Sequence, residues 1–212
     1  ATAVPGNLTI TTPTGAGVIL GDTLGGTVSV GNLTVNSGGN IVIDGGVAVS
    51  GTANLVAADT TANSITDTAT TGRLGVTGVA TLASSGSIVL DTGADFSSVM
   101  LNGVAGNTTI RDINNVTISG NATGNVEVRA GNGTGAIAAP WNLVLGNLNA
   151  GSLNAFAQDA GGGISGTITQ AAGSALHIEN TAAFTTDDAN IILGNNGNSF
   201  GRVELTVSGP ST

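Results

Sequence analysis

The sequence contains two long segments with the same spacing of apolar residues, and this repetition limits what the chain can fold into. Residues 74–103 and 176–208 align with an offset that drifts only from 102 to 104. The apolar positions that coincide are Leu74 with Leu176, Val76 with Ile178, Leu82 with Phe184, Ile88 with Ile191, Leu90 with Leu193, Phe96 with Phe200, Val99 with Val203 and Leu101 with Leu205. The polar residues between them differ. Diverged copies of a few short strands predict a stack of repeats, whereas a catalytic domain tends to be one copy of irregular parts.

A third, shorter match shows that the long repeat contains smaller units. The segment VAVSGTANL (47–55) has the apolar spacing of LGVTGVATL (74–82), at an offset of 27. A coil of about 20–27 residues is what one turn of a β-solenoid requires. We therefore expect about eight to ten coils in a single domain over residues 1–212, which is a fragment of, or a unit in, a longer repeat array.

Short runs in which apolar and polar residues alternate recur along the whole chain. Alternation with a period of two indicates strands with one buried face. Gly, Asn, Asp and Ser, which favour turns, separate most of them. The runs are NLTI (7–10), GVIL (17–20), TVSV (27–30), NLTV (32–35), NIVI (40–43), VAVS (47–50), SIVL (87–90), TTIRDI (108–113), NVTI (115–118), NVEV (125–128), NLVL (142–145), GTIT (166–169) and IIL (191–193). They predict an all-β fold.

Composition favours a narrow core. The chain is 40% hydrophobic but only 2% aromatic, and it has no Tyr, so Ala, Val, Leu and Ile must fill its interior. A core one or two side chains across does not need rings to fill it. Twelve residues are expected to form the aliphatic rows of this core, and both Phe184 and Phe200 are expected to be buried. The twelve are Leu74, Val76, Leu82, Ile88, Leu90, Phe96, Leu176, Ile178, Phe184, Ile191, Leu193 and Phe200.

Charge and cysteine content exclude several classes of function. The net charge of -9, with only four arginines and no lysine, argues against nucleic acid or anionic membranes as partners. The sequence contains no run of 18 apolar residues, so it gives no indication of a membrane-spanning helix. The absence of Cys excludes disulfides, thiolate metal sites and cysteine nucleophiles. The first residues, ATAVPG, fit either an excised fragment or a processed, exported chain.

Three blocks of the sequence resemble the repeats of a known family. They are GNLTVNSGGNI (31–41), ITQAAGSALHIENTAAFTT (168–186) and ANIILGNNGNSFGRVELT (189–206), with SIVLDTGADFSSVML (87–101) a looser match to the last. They resemble the repeats of filamentous-haemagglutinin-like exoproteins, which are bacterial adhesins exported by two-partner secretion, and of autotransporter passengers. The resemblance covers most of residues 32–208. It implies a right-handed parallel β-helix, a secreted or cell-surface location, and an adhesive or fibre-forming role. The NPNG-type signature of the family's secretion domain is not in the sequence, so the chain is expected to be shaft.

Few residues suggest chemistry, and we assign no catalytic, cofactor-binding or metal-binding residue. His177, the sole histidine, lies in the polar phase between two apolar residues and is expected to face solvent or a turn. Trp141 is expected to pack at a coil corner rather than stack on a sugar ring. The carboxylates that lie near one another are expected to be solvated turn residues rather than a Ca²⁺ site, and GNNGNSFG (194–201) has the glycines of a calcium-binding repeat but no Asp. These carboxylates are Asp22, Asp91, Asp95, Asp187 and Asp188.

Six Asn-x-Ser/Thr sequons, at residues 7, 32, 107, 115, 121 and 132, are expected by chance in a chain rich in Asn and Thr.

Three functions remain open at this stage. The first is a non-enzymatic structural or adhesive shaft of a secreted or surface-displayed exoprotein, with further repeats or copies of itself as end-to-end partners and surface glycans or proteins as possible ligands. The second is a subunit of a self-assembling extracellular filament. The third is a β-helix that binds or cleaves carbohydrate. The strand RVELTV (202–207) alternates cleanly and has no capping helix after it, so we expect it to pair with another coil.

Overall fold

The structure, a computed structural model, describes residues 5–21, 26–59, 62–68, 72–131, 141–157 and 166–208. Within these residues all regular structure is β-strand, and every strand pairing is parallel. The strands are β1 (Leu8–Thr11), β2 (Val18–Leu20), β3 (Thr27–Val30), β4 (Leu33–Ser37), β5 (Ile41–Ile43), β6 (Gly46–Val49), β7 (Ala53–Ala57), β8 (Ile65–Asp67), β9 (Arg73–Ser84), β10 (Ile88–Val104), β11 (Thr108–Asp112), β12 (Val116–Ala122), β13 (Asn125–Ala130), β14 (Leu143–Ala150), β15 (Ser152–Ala157), β16 (Ile168–Gln170), β17 (Leu176–Asp187), β18 (Ile191–Ile192) and β19 (Ser199–Ser208). All thirteen alternating runs overlap these strands.

The pairings arrange the strands in rows that run along the axis of a β-solenoid, which confirms the predicted fold. Row 1 joins β1, β4, β7, the second half of β9, the end of β10, β12, β14, β16 and β18. Row 2 joins β2, β5, β8, the start of β10, β11, β13, β15, the second half of β17 and the end of β19. Row 3 joins β3, β6, the start of β9 and the middle of β10.

The strand pairings in row 2 give the number of coils and the number of residues in each coil. Its nine strands make eight turns, the lower end of the eight to ten expected. The coil from Thr108 to its partner Val126 takes 18 residues, and the coil from Leu153 to its partner Ala182 takes 29. The range is therefore wider than the predicted 20–27 residues. Since strands stack at about 4.8 Å, the eight steps span roughly 40 Å.

The interior is a continuous column of small aliphatic side chains, as the composition predicted. Nine of the twelve expected core residues are buried, and Phe96 and Phe184 are among the largest side chains with no exposed surface. The three exceptions, Ile191, Leu193 and Phe200, are only partly buried against the core. The expectation that Phe200 is buried is therefore wrong. These residues belong to the last described coil, which has a neighbour on one side only.

The rows change identity half-way along the solenoid. Row 3 ends at β10, where only Ala94 and Asp112 still pair across to β11. Further on, β14 pairs with two strands at once: its first half continues row 1 into β16, and its last residues pair with the start of β17. The ends of β10, β12 and β14 and the starts of β17 and β19 form a new row, row 4.

Gly120 lies at the bend from which row 4 departs. Its φ of +108° is a conformation that L-residues rarely adopt, and a Cβ at this position would collide with the backbone of Leu101. The pairing of β12 with β14 shifts register between Ile118 and Gly120. A glycine therefore allows the strand to turn from row 1 toward row 4.

The replacement of row 3 by row 4 determines where the two long sequence repeats lie in the solenoid. Leu74 lies in row 3 and its counterpart Leu176 in row 4, whereas Leu82 lies in row 1 and its counterpart Phe184 in row 2. The alignment is correct in the order of strands and turns. The two copies nevertheless lie on different sides of the solenoid.

Candidate functional site

Asparagine side chains at the corners of the coils bind the backbone of the next coil. Asn7 Oδ1 accepts the N–H of Asn32 at 3.1 Å, and Asn32 Oδ1 accepts the N–H of Thr52 at 2.8 Å. At another corner Asn115 Oδ1 accepts the N–H of Asn142 at 2.6 Å. Such ladders satisfy backbone donors where the chain leaves a strand and ladder pairing stops.

The asparagines of four of the six Asn-x-Ser/Thr sequons form hydrogen bonds of this kind. Asn7, Asn32, Asn107 and Asn115 each accept a backbone N–H of the following coil through the side-chain amide oxygen. The amide oxygen of Asn121 instead accepts the side-chain N–H of Asn149. The sequon at residue 132 lies outside the described residues. An asparagine directly before a predicted strand was the signal in the sequence that could have identified the ladders.

Two carboxylates that the sequence did not single out, the buried Asp112 and the half-buried Asp67, lie between coils. Asp112 is fully buried, and its carboxylate accepts the N–H of Phe96 at 2.7 Å and that of Asn114 at 2.9 Å. Burial raises the pKa of Asp112 to about 7, because the loss of hydration outweighs the two N–H bonds that favour the ionised form. Phe96 lies in the last strand of row 3, so the Asp112 side chain supplies the acceptor that a further strand would have given.

Asp67, the last residue of the row 2 strand β8, plays a similar role. Its carboxylate accepts the N–H groups of Asp91 and Thr92, at 3.2 and 2.9 Å. Burial raises the pKa of Asp67, while the backbone hydrogen bonds from Thr92 and Asp91 lower it. Both carboxylates join successive coils.

The carboxylates named from the sequence do not form a cation site. Asp95 accepts the side-chain amide of Asn114 at 2.8 Å, and Asp188 is an exposed corner residue with a φ of +54°. No group of three or more His, Cys, Asp or Glu residues that could hold a metal occurs in the described part of the chain. Asp22 lies outside the described residues.

The segment 194–201 is an amide network rather than a ligand loop. Asn198 and Gln170 exchange two side-chain hydrogen bonds, at 2.7 and 3.0 Å, and Asn198 Oδ1 also accepts the N–H of Leu176 at 3.0 Å. Asn195 donates its side-chain amide to the carbonyls of Ala171 and Ser174. These bonds fasten the last described coil to the one before it.

Trp141 is 4% exposed, which confirms that it packs in the core.

A shallow groove of about 470 Å³ follows row 4 along the axis. One side is a column of outward-facing residues in register, one per coil: Asn121, Asn149, His177 and Ser199. The other side includes Thr123 and Glu179, and the buried Ala122, Ala150 and Ile178 lie between the two sides.

His177 is exposed, which confirms its position in the polar phase of the strand. Its neighbours in the groove are Asn149 and Ser199 across the strands and Glu179 along its own strand. Among the described residues His177 makes no hydrogen bond to either Ser199 or Glu179. The nucleophile–base contact that a catalytic triad requires is therefore not formed there.

A second groove, of about 370 Å³, follows row 3 in the other half of the solenoid. Its outward column is Ser29, Ala48, Gly75 and Asp95, again one residue per coil. Its lining also includes Ser50, Thr77 and Ser97, so this groove carries hydroxyl groups and the Asp95 carboxylate, but no amide or imidazole among the described residues.

The last described coil exposes the interior of the solenoid. Val203 and Leu205 lie in register with the buried Ala182 and Phe184 of row 2, yet they are 44% and 62% exposed. Val207, in register with the buried Thr186, is 57% exposed. The apolar side chains of β19 thus occupy inward positions that no further described coil covers.

Comparison with known proteins gives one match. A family model described as repeats of unknown function (DUF5649) matches residues 136–206, about one third of the chain. Neither curated proteins nor solved structures gave a significant match. A search of the described residues for a helix able to cross a membrane found none. The repeat character of the C-terminal part is thereby supported by similarity as well as by structure.

Proposed function

We propose that this chain is a non-enzymatic shaft segment of a secreted or surface-displayed exoprotein, with a structural or adhesive role. The observation that carries the proposal is the stacking of rows 1 and 2, which continue from β1 to β19 over one core. Each coil contacts its neighbours along backbone ladders, corner asparagines and aliphatic rows. Such a body resists extension and bending along its axis, because bending one coil loads the pairing of every row at once.

Pulling the chain by its two ends tests the shaft. A solenoid is stabilised by contacts between neighbouring coils, so it should unravel in successive steps from an end, each releasing about 20–30 residues. Single-molecule force spectroscopy would resolve these steps. One all-or-none rupture of the whole chain would instead indicate a globular unit and would overturn the shaft.

Location is tested separately. An antibody against the purified chain should label intact source cells, or their culture medium, without permeabilisation. Labelling that appears only after lysis would overturn the secreted or surface location while leaving the mechanical result untouched.

We further propose that the open coil at β19 binds the first coil of a second copy, end to end. The inward apolar residues Val203, Leu205 and Val207 are available there, together with the unpaired edge of a ten-residue strand. At the opposite end, Leu8 and Ile10 of β1 are only half-buried, so both edges offer apolar rows and unpaired backbone. A head-to-tail contact of this kind repeats and gives filaments.

Sedimentation of the chain over a range of concentrations tests this contact, with electron microscopy of the same samples. Association should grow with concentration and should be abolished by Leu205→Asp, which places a charge in the buried joint. Thr206→Asp, on the opposite face of the same strand, is the matched control and should still associate. A monomer at all concentrations, or equal association of both variants, would exclude joining through β19.

A further inference from the structure

The groove along row 4 carries side-chain hydrogen-bonding groups that the fold does not use. At the corners, asparagine oxygens accept backbone N–H groups of the next coil. Asn121 and Asn149 lie within strands instead, and their mutual hydrogen bond joins only side chains. The Asn121 amide nitrogen and the Asn149 amide oxygen remain for a ligand, as do both ring nitrogens of His177, which has no hydrogen-bonding partner among the described residues.

These groups form a regular array. The register places Asn121, Asn149 and His177 on successive coils, so their backbones are about 4.8 Å apart along the axis. The groove runs past five coils, from Gly103 to Ser199, and its volume of about 470 Å³ is within the range of ligand-binding clefts. A ligand that lies along it would meet a donor, an acceptor and an imidazole in turn.

The charged residues around the row 4 groove restrict the class of ligand that it can bind. Among the described residues, Glu179 is the only carboxylate that lines the groove, and no arginine lines it. An anionic chain would find no fixed positive charge there, in a protein of net charge -9. One carboxylate and one imidazole are too few for a hard cation, which requires several oxygen ligands.

We propose that the row 4 groove binds a linear, neutral oligosaccharide, whose hydroxyl groups both donate to and accept from the amides and the imidazole. This proposal rests on the shaft function proposed above, and it names the class of ligand that such a shaft would bind. Binding is weak, because the groove is shallow and has no aromatic ring for a sugar to stack on.

Nuclear magnetic resonance on the intact chain tests the groove, with cellotetraose, maltotetraose and chitotetraose as neutral probes and a heparin tetrasaccharide as the anionic one. At least one neutral probe should shift the side-chain amides of Asn121 and Asn149 and the imidazole of His177 at concentrations up to about 10 mM. Asn149→Ala and His177→Ala should each weaken that binding about tenfold. Ser29→Ala, in the row 3 groove, is the matched control and should leave it unchanged.

The backbone amide spectrum shows in the same experiment whether each variant is folded. No shift with any neutral probe, shifts outside row 4, shifts with the heparin fragment alone, or undiminished binding by both groove variants would overturn the proposal. Because stepwise unravelling under force does not depend on the groove, failure here leaves the shaft function standing.

Discussion

Two neighbouring phenylalanines show how an interior coil differs from the last described one. Phe184 and Phe200 lie with their ring centroids 6.2 Å apart, edge to face. Phe184 has no exposed surface, because coils lie on both sides of it, whereas Phe200 is only partly buried. Phe184 lies in row 2 and Phe200 in row 4, and both rings contact the core. Burial in a solenoid therefore depends on the number of neighbouring coils as much as on the residue itself.

The largest expected effect separates these two rings. Phe184→Ala should lower the free energy of unfolding by about 3–5 kcal/mol, since it leaves a cavity in the closed core. Phe200→Ala should cost at least about 1 kcal/mol less, because part of its ring is already in water. Both variants lose the same edge-to-face contact, so the difference reports burial alone. Urea denaturation of the monomer measures it, and equal losses would contradict the comparison.

The second effect concerns pH and the interior carboxylate. The pKa of Asp112 is raised to about 7 in the folded chain, so the folded state holds a proton that the unfolded state releases at about pH 4. The free energy of unfolding should consequently fall as pH rises from about 4 to 7, and level off above pH 7.

Asp112→Asn should reduce this fall, leaving the smaller contribution of Asp67, whose pKa burial also raises. Asp188→Asn, at an exposed corner of the open coil, is the control and should keep the wild-type pH profile. Denaturation at a series of pH values measures all three proteins. A profile for Asp112→Asn as steep as that of the wild type would show that the buried carboxylate is not its source.

The third effect compares two asparagines at the same corner. Asn142 and Asn190 each immediately precede a row 1 strand, and Asn142 Oδ1 accepts the backbone N–H of Thr167 at 3.0 Å and its hydroxyl at 2.8 Å. Asn190 is exposed and belongs to the coil that no described coil follows. Asn142→Ala should cost about 1 kcal/mol, as the part-buried N–H and hydroxyl of Thr167 lose their acceptor, whereas Asn190→Ala should be nearly neutral. Thermal denaturation distinguishes them, and equal costs would mean that the ladder adds nothing.

The smallest effect is expected in the open coil. Leu205→Asp should change the stability of the monomer by no more than about 0.5 kcal/mol, because the side chain is already 62% exposed. The same variant abolishes association if β19 forms the joint. Denaturation at a concentration below that of assembly isolates the first quantity, and a large loss there would show that Leu205 belongs to the core of the single chain.

Local structure was predictable from the sequence, because alternation and turn residues act within a few positions. Every alternating run overlaps a strand, and the spacing of Leu74, Val76 and Leu82 indicates the coil correctly. The exposure of Phe200 was not predictable, since it depends on what lies beyond the coil. Nor was the burial of Asp112, which follows from the end of row 3 at a position that no motif indicates.

The groove was partly predictable. Its residues were visible as polar members of alternating strands, and His177 was correctly expected to face outward. What the repeat alignment could not supply is which strands stack upon one another, because coils of 18 and 29 residues change the register between distant copies. The column of Asn121, Asn149 and His177 exists only once that register is known.

The replacement of row 3 by row 4 means that the two halves of the solenoid have their third side in different places. In the first half the chain passes from row 2 through row 3 to row 1, whereas in the second half it passes from row 1 through row 4 to row 2. Rows 1 and 2 continue through both halves, so the core is not interrupted. The groove on row 3 and the groove on row 4 consequently open in different directions around the axis. A single shaft of this kind can face two surfaces at once, one with each half.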